Sequence, residues 1–263
     1  MESYDVSVEG MLFSFLLLLI PVLISYYLGL NLISPTIESA FRMVIQLLFV
    51  GVFLTFVFDL NNALLNIAWV LLMIFVASHT VLKNAELKTG KLLPMLTLFM
   101  AVTNYAMLLY FNRFIINLND LFDARYFIPI GGMVLGNSLR ANIIGIENFC
   151  SEIQRNENRY LFRLSMGAEK TEALIPYLRK SMGVALKPTI ANMATIGIVF
   201  IPGMMTGQIL AGASPLVAIE YQITIMIAIY VATTVNVLLG VLVLVHRGFD
   251  EYGMFKKDLL RNV

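Results

Sequence analysis

Seven long apolar runs dominate the sequence, at about residues 10–30, 39–58, 63–82, 92–113, 127–147, 184–205 and 215–245. A helix needs about 20 apolar residues, each adding about 1.5 Å, to cross the hydrocarbon core of a bilayer. The runs therefore predict an all-α, polytopic membrane protein with seven transmembrane helices. No linker divides the chain, which predicts one transmembrane domain with residues 1–9 as an external tail. Glu2, Asp5 and Glu9 precede the first run and no basic residue does, which favours a retained helix over a signal peptide.

One polar interval, residues 148–183, separates the fifth run from the sixth. Within it Arg155, Arg159 and Arg163 recur every fourth position, which is typical of one face of an amphipathic helix. Gly167 allows a turn, and a second helical pattern follows from Glu169 onward, with Pro176 limiting its regularity. The interval predicts a helical elbow that projects from the membrane.

The basic residues are spread unevenly over the predicted loops, and this predicts the orientation. With the N-terminus outside, 14 of the 18 Lys and Arg residues fall in the segments 83–91, 155–187 and 247–261. Arg113 and Arg125 alone lie in the outer loops, and Arg42 and Arg140 lie within or beside spans. We therefore expect an external N-terminus, a cytoplasmic elbow and a cytoplasmic tail at 246–263, in a multi-pass protein of the plasma membrane.

Composition narrows the functional classes. Hydrophobic residues make up 59% of the chain and charged residues only 13%, whereas ordinary soluble domains carry about 25% charged residues. This excludes a soluble enzyme, a nucleic-acid binder and a disordered regulator. One cysteine cannot form an intramolecular disulfide, two histidines cannot build a multi-histidine metal site, and the chain has no phosphate-binding loop. We predict no enzymatic activity and no cofactor in this chain, so that uphill transport would need ATP and Mg²⁺ on another subunit.

Polar side chains within the second and seventh spans are candidates for a transport pathway. Placing a charged side chain at mid-bilayer costs on the order of 2.5–3.5 kcal/mol, so a charged residue within a span is expected to have a structural or functional role. Arg42 and Gln46 share one face of span two, and Glu38 lies one turn earlier, where it can pair with Arg42. The alternative for Arg42 is a side chain that extends to the headgroups. Glu220, at the start of span seven, lies near the outer interface or attracts cations.

Span five carries a polar series formed by Asn137, Arg140, Asn142 and Glu147. In an apolar span such a series predicts a water-accessible cavity. The alternative is that the span has ended and these residues begin the elbow. We favour the cavity for Asn137 and the end of the span for Glu147.

Glycines, prolines and methionines near the outer ends of spans five and six are a further group. The pairs Gly132/Gly136 and Gly203/Gly207 favour close helix packing over ligand binding. Pro129 and Pro202 are each predicted to break a helix. Met133, Met204 and Met205 lie near these breaks, and their thioethers suit soft metal ions or, more commonly, fill gaps in packing. His79, alone in span three, is predicted to be an ordinary hydrogen-bonded side chain.

Several segments resemble one known family. They are Arg42–Gly51, Ile128–Asn137, Arg163–Ala168, Lys187–Thr189, Ile201–Gly212 with its Pro-Gly-Met-Met-Thr-Gly stretch, and Tyr221-Gln222. Together they resemble the membrane subunit of bacterial iron-export ABC transporters, a family that includes plant permeases linked to aluminium tolerance. The resemblance covers about residues 36–247.

The resemblance implies a permease that pairs with a separate ATPase, as two copies of each. It also implies metal homeostasis in bacteria, or nucleotide-sugar transport for the plant relatives. Arg140 stands where the family has a small or uncharged residue, and Glu220 where relatives often have a base. If either residue lines the pathway, the preferred charge of the substrate differs from that of the family.

The resulting hypothesis is export of iron or another metal ion by alternating access. Spans two, five and six would frame a cavity around Arg42, Gln46, Met133, Asn137 and Met204. The elbow would receive the ATPase through Arg155, Arg159, Arg163, Gly167, Ala168 and Glu169. The competing hypothesis is an ATP-independent channel or a heptahelical scaffold or receptor, although the last span has no central lysine that could hold retinal.

Overall fold

The computed structural model describes residues 7–250, 252–256 and 259, and this part of the chain is helical without a β-strand. Its helices are α1 (Val8–Leu16), α2 (Leu19–Leu28), α3 (Ile33–Leu60), α4 (Ala63–Asn84), α5 (Leu93–Tyr110), α6 (Ala124–Arg155), α7 (Glu157–Ser165), α8 (Lys170–Thr195), α9 (Gly203–Leu210) and α10 (Pro215–Arg247), and a π-helical turn (Phe111–Ile115) extends α5. The all-α fold is confirmed. The chain divides into two compact units, residues 1–61 with 210–212 and residues 62–209 with 213–263.

The first unit consists mainly of α1, α2 and α3. The predicted first span is one helical segment, Glu9–Leu28, with a turn at Leu17 and Leu18 between α1 and α2. Pro21 accounts for this turn, because it has no N–H to donate and its ring crowds the carbonyl four residues earlier. Almost all side chains of these helices are exposed, so their apolar surface is available to lipid or to another subunit.

The second unit is built around α6, which packs against α4, α8 and α10. α10 completes the core by packing also against α5 and α8. Large apolar side chains such as Phe127, Phe149 and Ile146 are fully buried at these contacts. Because three helices pack against α6, polar residues on its packed faces need not face lipid.

The predicted spans agree with the structure to different degrees. Spans one to four and span seven correspond to helical segments that are long and apolar enough to cross a membrane: Glu9–Leu28, Ile33–Leu60, Ala63–Asn84, Leu93–Ile115 and Pro215–Arg247. Span five falls in α6 and span six in α8 with α9; α6 and α8 are more polar, and α9 has only 8 residues. The count of seven spans and their orientation stay predictions.

The predicted break at Pro129 is wrong, since α6 continues through this residue. Pro129 lies near the start of α6, where the loss of one hydrogen bond is outweighed by packing on three neighbouring helices. α8 likewise continues through Pro176 and Pro188 and shows no break at the predicted boundary between elbow and span six. The break near Pro202 is confirmed, because residues 196–202 separate α8 from α9.

The elbow has the predicted helix–turn–helix form. α6 extends beyond the predicted span to Arg155, α7 follows after Asn156, and a turn leads into α8. Gly167 makes this turn with a φ of +89°, a conformation that other residues rarely adopt. The elbow is therefore continuous with α6 at one end and with α8 at the other.

Segments predicted to share one side of the membrane come together at one end of the second unit. Asn84, the last residue of α4, and Glu86 line a groove with Glu147 and Cys150 of α6. The main-chain N–H of Lys88 donates to the carbonyl of Leu259, 2.8 Å away. This end carries the elbow and the chain beyond α10.

Candidate functional site

Three polar side chains are enclosed between α6 and α10. Ser138, Asn142 and Asn236 are each at most 1% exposed. Asn236 Nδ2 donates to Ser138 Oγ over 3.1 Å, and Asn142 Nδ2 donates to the Ser138 carbonyl over 2.9 Å. The Oδ1 atoms of both asparagines have no hydrogen-bond partner within the described residues. The bond from Asn236 crosses from α10 to α6 and helps to fix the register of the two helices, and both Oδ1 atoms are buried acceptors without a partner among the described residues.

Two glycines permit the close approach of the helices around this polar cluster. A Cβ atom on Gly145 would lie 2.9 Å from Val237 Cγ1 of α10 and 3.3 Å from Ala185 Cβ of α8. A Cβ atom on Gly240 of α10 would collide with Asn142 Oδ1. Gly145 therefore marks the point where α6, α8 and α10 meet.

The interruption between α8 and α9 is an irregular stretch of backbone in an apolar part of the chain. Gly197 has a φ of +81°, and its N–H donates to the Phe200 carbonyl over 2.9 Å. Pro202 has no N–H and precedes the first residue of α9. Within a membrane, such backbone is tolerated only where it is covered by protein or lines a cavity.

A cavity of about 320 Å³ lies at this interruption, against α10. Its lining residues are Ile196, Gly197, Ile201, Met205, Ile219, Gln222, Ile223 and Met226. Two thioethers and the amide of the buried Gln222 are its polar or polarisable groups. The two thioethers are soft donors that suit soft metal ions, whereas the Gln222 amide oxygen is a harder donor. Of these residues, the sequence singled out Met205 as a pathway candidate, whereas Met226 was missed.

The predicted polar series on α6 does not share one environment. Asn137 is half-buried, and its Nδ2 donates to the carbonyl of Met133 over 2.8 Å. Asn142 is buried against α10, whereas Arg140 and Glu147 are exposed. Glu147 lies beside the residues that follow α4, and its assignment to the end of the span stays a prediction. Met204 is half-buried on α9 and lies outside the residues that line the cavity.

The remaining pathway candidates are not among the residues that line the cavity. In the first unit, Arg42 pairs with Glu38 at 2.6 Å, as predicted, and both side chains are exposed, as is Gln46. In the second unit, Glu220 is exposed and lines a separate pocket of about 280 Å³ with Tyr221 and the end of the π-helical turn. A pathway that combines residues of both units stays a prediction.

The paired glycines differ in what surrounds them. A Cβ on Gly132 would lie 3.3 Å from Met73 Cε of α4, so this glycine permits a helix contact. A Cβ on Gly136, Gly203 or Gly207 would meet no atom within 4 Å in the described part of the chain. These three glycines could therefore serve in helix packing only against another molecule.

The elbow contains a basic groove between α7 and α8. Its volume is about 370 Å³, and its charged lining residues are Glu152, Arg155, Arg159, Arg163 and Lys180. Lys180 Nζ lies 2.7 Å from Glu152 Oε2. The three arginines that the sequence grouped by spacing are thus brought together in space. The tip of the elbow lies outside this groove and consists of Phe162, Met166, Gly167, Ala168 and Glu169.

The chain beyond α10 holds the elbow in place. We call residues 248–250 and 252–256 the C-terminal strap. The strap folds back on itself through an antiparallel pairing of Phe249 with Phe255. Tyr160 of α7 is 1% exposed, and its hydroxyl donates to the Gly253 carbonyl over 2.8 Å. The Tyr160 ring also packs against Phe249 and Tyr177. This aromatic cluster fastens α7 to both α8 and the end of α10.

Burial also determines the titration of two groups at this end of the molecule. Loss of solvation raises the pKa of Tyr160 to about 12, and Asp250 and Tyr177 nearby raise it further in the same direction. Loss of solvation likewise raises the pKa of the Cys150 thiol to about 12. Both groups are therefore neutral at physiological pH, and the thiol is a poor nucleophile.

Sequence reasoning named Asn142 but missed its neighbours Ser138 and Asn236, and it missed the strap. Ser138, Asn142 and Gly145 follow a spacing of four and three residues on α6, which is a weak signal for a contact face. No comparable signal points to the pairing of Tyr160 with Gly253, 93 residues away. Within the described residues, no group of three His, Cys, Asp or Glu side chains could hold a metal ion.

Comparison with known proteins places this architecture in a family. Residues 8–249 match the model of an uncharacterised protein family, UPF0014. A UPF0014 membrane protein of Synechocystis is 30% identical over 85% of this chain and 86% of its own length. Protein ALUMINUM SENSITIVE 3 of Arabidopsis thaliana is 32% identical over 83% of this chain and 78% of its own.

A third relative is the probable iron export permease protein FetB of Escherichia coli, which is 30% identical over 86% of this chain and 85% of its own length. No solved structure matches the chain. The matched segment includes the elbow and every helix that lines the cavity. This chain is therefore a multi-pass membrane protein that belongs to the UPF0014 family.

Proposed function

We propose that this chain is the permease subunit of an ABC transporter that exports iron or another metal ion. The similarity to the iron export permease of Escherichia coli supports the direction and the class of substrate. The chain itself has no phosphate-binding loop, so a separate ATPase would bind ATP and Mg²⁺. The protein would lie in the plasma membrane, with its N-terminus outside and the elbow in the cytoplasm.

The observation that carries this proposal is the apolar tip of the elbow. Phe162 is 64% exposed and Met166 is 73% exposed, and both lie outside the predicted spans, where water and not lipid would surround them. Exposed apolar side chains outside the bilayer are typical of a docking surface. The tip, with Gly167, Ala168 and Glu169, would insert into a groove of the ATPase as a helical element does.

The connections of the elbow explain how movement of the ATPase would reach the transport pathway. α7 is joined to α6 through Asn156, and the turn at Gly167 leads without a further break into α8. α8 ends at the interruption that lines the cavity of Met205, Gln222 and Met226. A displacement of the tip would therefore change the position of α8 against α6 and open or close this cavity by alternating access.

The proposed assembly contains two permeases and two ATPases. Gly136, Gly203 and Gly207 have free space where a Cβ would be, and the helices of the first unit expose nearly all their apolar side chains. Small residues and apolar helix faces of this kind favour contact with a second transmembrane subunit. These surfaces support a permease homodimer within the bilayer.

The test measures ATPase binding and transport in the reconstituted complex of permease and ATPase. Replacing both Phe162 and Met166 with serine removes the apolar tip without disturbing a buried contact, so association with the ATPase and transport should fall together. Tyr252→Ser is the matched control, because Tyr252 is 86% exposed on the strap and not on the tip. Normal ATPase binding and transport in the double variant would contradict the proposal.

A further inference from the structure

The basic groove of the elbow has a charge that the surrounding chain does not balance. Four basic side chains line it, with one carboxylate, Glu152, which already pairs with Lys180. Arg155, Arg159 and Arg163 have no ion-pair partner within the described residues. Arg159 and Arg163 lie one turn apart on α7, where two like charges destabilise a helix. An anion bound in the groove would remove this repulsion.

The depth of the groove relative to the predicted spans identifies the source of the anion. Span five is predicted to end at residue 147 and span six to begin at residue 184. At about 1.5 Å per helical residue, Glu152 and Lys180 lie about 6–8 Å beyond the hydrocarbon boundary. The headgroup layer of one leaflet is about 5–8 Å thick. The inner end of the groove therefore lies at the level of the lipid phosphates, and Arg155, about 12 Å beyond the same boundary, reaches them by extending its side chain back towards the membrane.

The shape and chemistry of the groove favour a lipid headgroup over a segment of protein. Its volume of about 370 Å³ is that of a small-molecule site, and apart from Pro176 its lining side chains are charged or polar. Guanidinium groups match phosphate oxygens through paired hydrogen bonds. The apolar residues that suit a protein partner, Phe162 and Met166, lie outside this lining.

We propose that the groove lined by Arg155, Arg159 and Arg163 binds the phosphate of an anionic phospholipid from the cytoplasmic leaflet. The bound headgroup links the end of α6, α7 and α8, and thereby stiffens the elbow on which the ATPase acts. This inference relies on the predicted spans and orientation but does not require that the ATPase binds the tip.

The test uses the full-length permease alone, in nanodiscs of phosphatidylcholine with or without phosphatidylglycerol. Native mass spectrometry of the released protein measures how much phosphatidylglycerol it retains. Each basic residue near an anionic membrane surface contributes about a fivefold gain in affinity, or about 1 kcal/mol. The double variant Arg155→Gln/Arg159→Gln should therefore bind phosphatidylglycerol about 25-fold more weakly than the wild type.

Arg179→Gln is the matched control, because Arg179 is exposed on α8 beside Lys180 but does not line the groove. We expect it to lose at most about fivefold in affinity, which is the contribution of one basic residue near the membrane surface, and elution of all variants as single species verifies their folding. Equal retention by the double variant and the control would overturn the proposal. Binding of inorganic phosphate without preference for phosphatidylglycerol over phosphatidylcholine would also overturn it.

Discussion

Gly145→Ala tests whether the junction of α6, α8 and α10 is as close as the structure shows. The added Cβ would lie 2.9 Å from Val237 Cγ1 and 3.3 Å from Ala185 Cβ, whereas carbon atoms in contact prefer about 3.5–4.0 Å. Ala185 cannot retreat without its backbone, and the branched side chain of Val237 has one strongly preferred rotamer in a helix. α6 must therefore move away from both neighbours by a few tenths of an ångström to about 1 Å.

The expected cost follows from two opposing effects. Overpacking of a well-packed contact costs about 1–3 kcal/mol, while replacing a helical glycine with alanine gains up to about 1 kcal/mol. Gly183→Ala separates the two effects, because a Cβ on Gly183 in α8 would meet nothing within 4 Å. The two variants should thus differ in stability by about 1–3 kcal/mol, with Gly145→Ala the less stable.

Thermal unfolding of both variants in one detergent measures this difference. We expect a Tm below that of the wild type for Gly145→Ala, and a Tm equal to or above it for Gly183→Ala. Because both changes add the same methyl group to a helix, effects on the unfolded chain largely cancel. Equal Tm values for the two variants would refute the close contact at Gly145.

Three further predictions concern the elbow end of the molecule. Tyr160→Phe leaves the Gly253 carbonyl without its donor and should cost about 1 kcal/mol, seen as faster proteolysis of the strap, with Tyr252→Phe as an unaffected control. Burial raises the pKa of Tyr160 from 10.0 to about 12. The free energy that the neutral side chain of Tyr160 contributes to folding is therefore complete below pH 10 and is lost as the pH rises towards 12. Alkaline unfolding curves of Tyr160→Phe should lack this loss. The Cys150 thiol should react with maleimide only after unfolding, and rapid labelling of the folded protein at neutral pH would contradict its burial.

Local sequence patterns predicted the apolar helical segments and the elbow. Long apolar runs identified five helical segments that match the requirements of a span, and the spacing of Arg155, Arg159 and Arg163 with the glycine at 167 identified the elbow. These features follow from helix periodicity and from the conformational freedom of glycine, both of which act over a few residues.

Contacts between segments that lie far apart in the sequence could not be predicted from local patterns. Pro129 has the chemistry of a helix breaker, yet packing on neighbouring helices keeps α6 continuous there. The enclosed contact of Asn236 with Ser138 and the bond from Tyr160 to Gly253 join residues more than 90 positions apart. No spacing within one helix reveals which face of another helix it will meet.

The most direct test of the proposed export function is transport into inverted membrane vesicles that contain this chain and its ATPase. We expect ferrous iron or another metal ion to accumulate in the vesicles only when ATP is added and both subunits are present. Accumulation should disappear in the Phe162→Ser/Met166→Ser variant and persist in Tyr252→Ser. Metal flux through the chain alone, without ATP, would contradict the account and would instead indicate a channel.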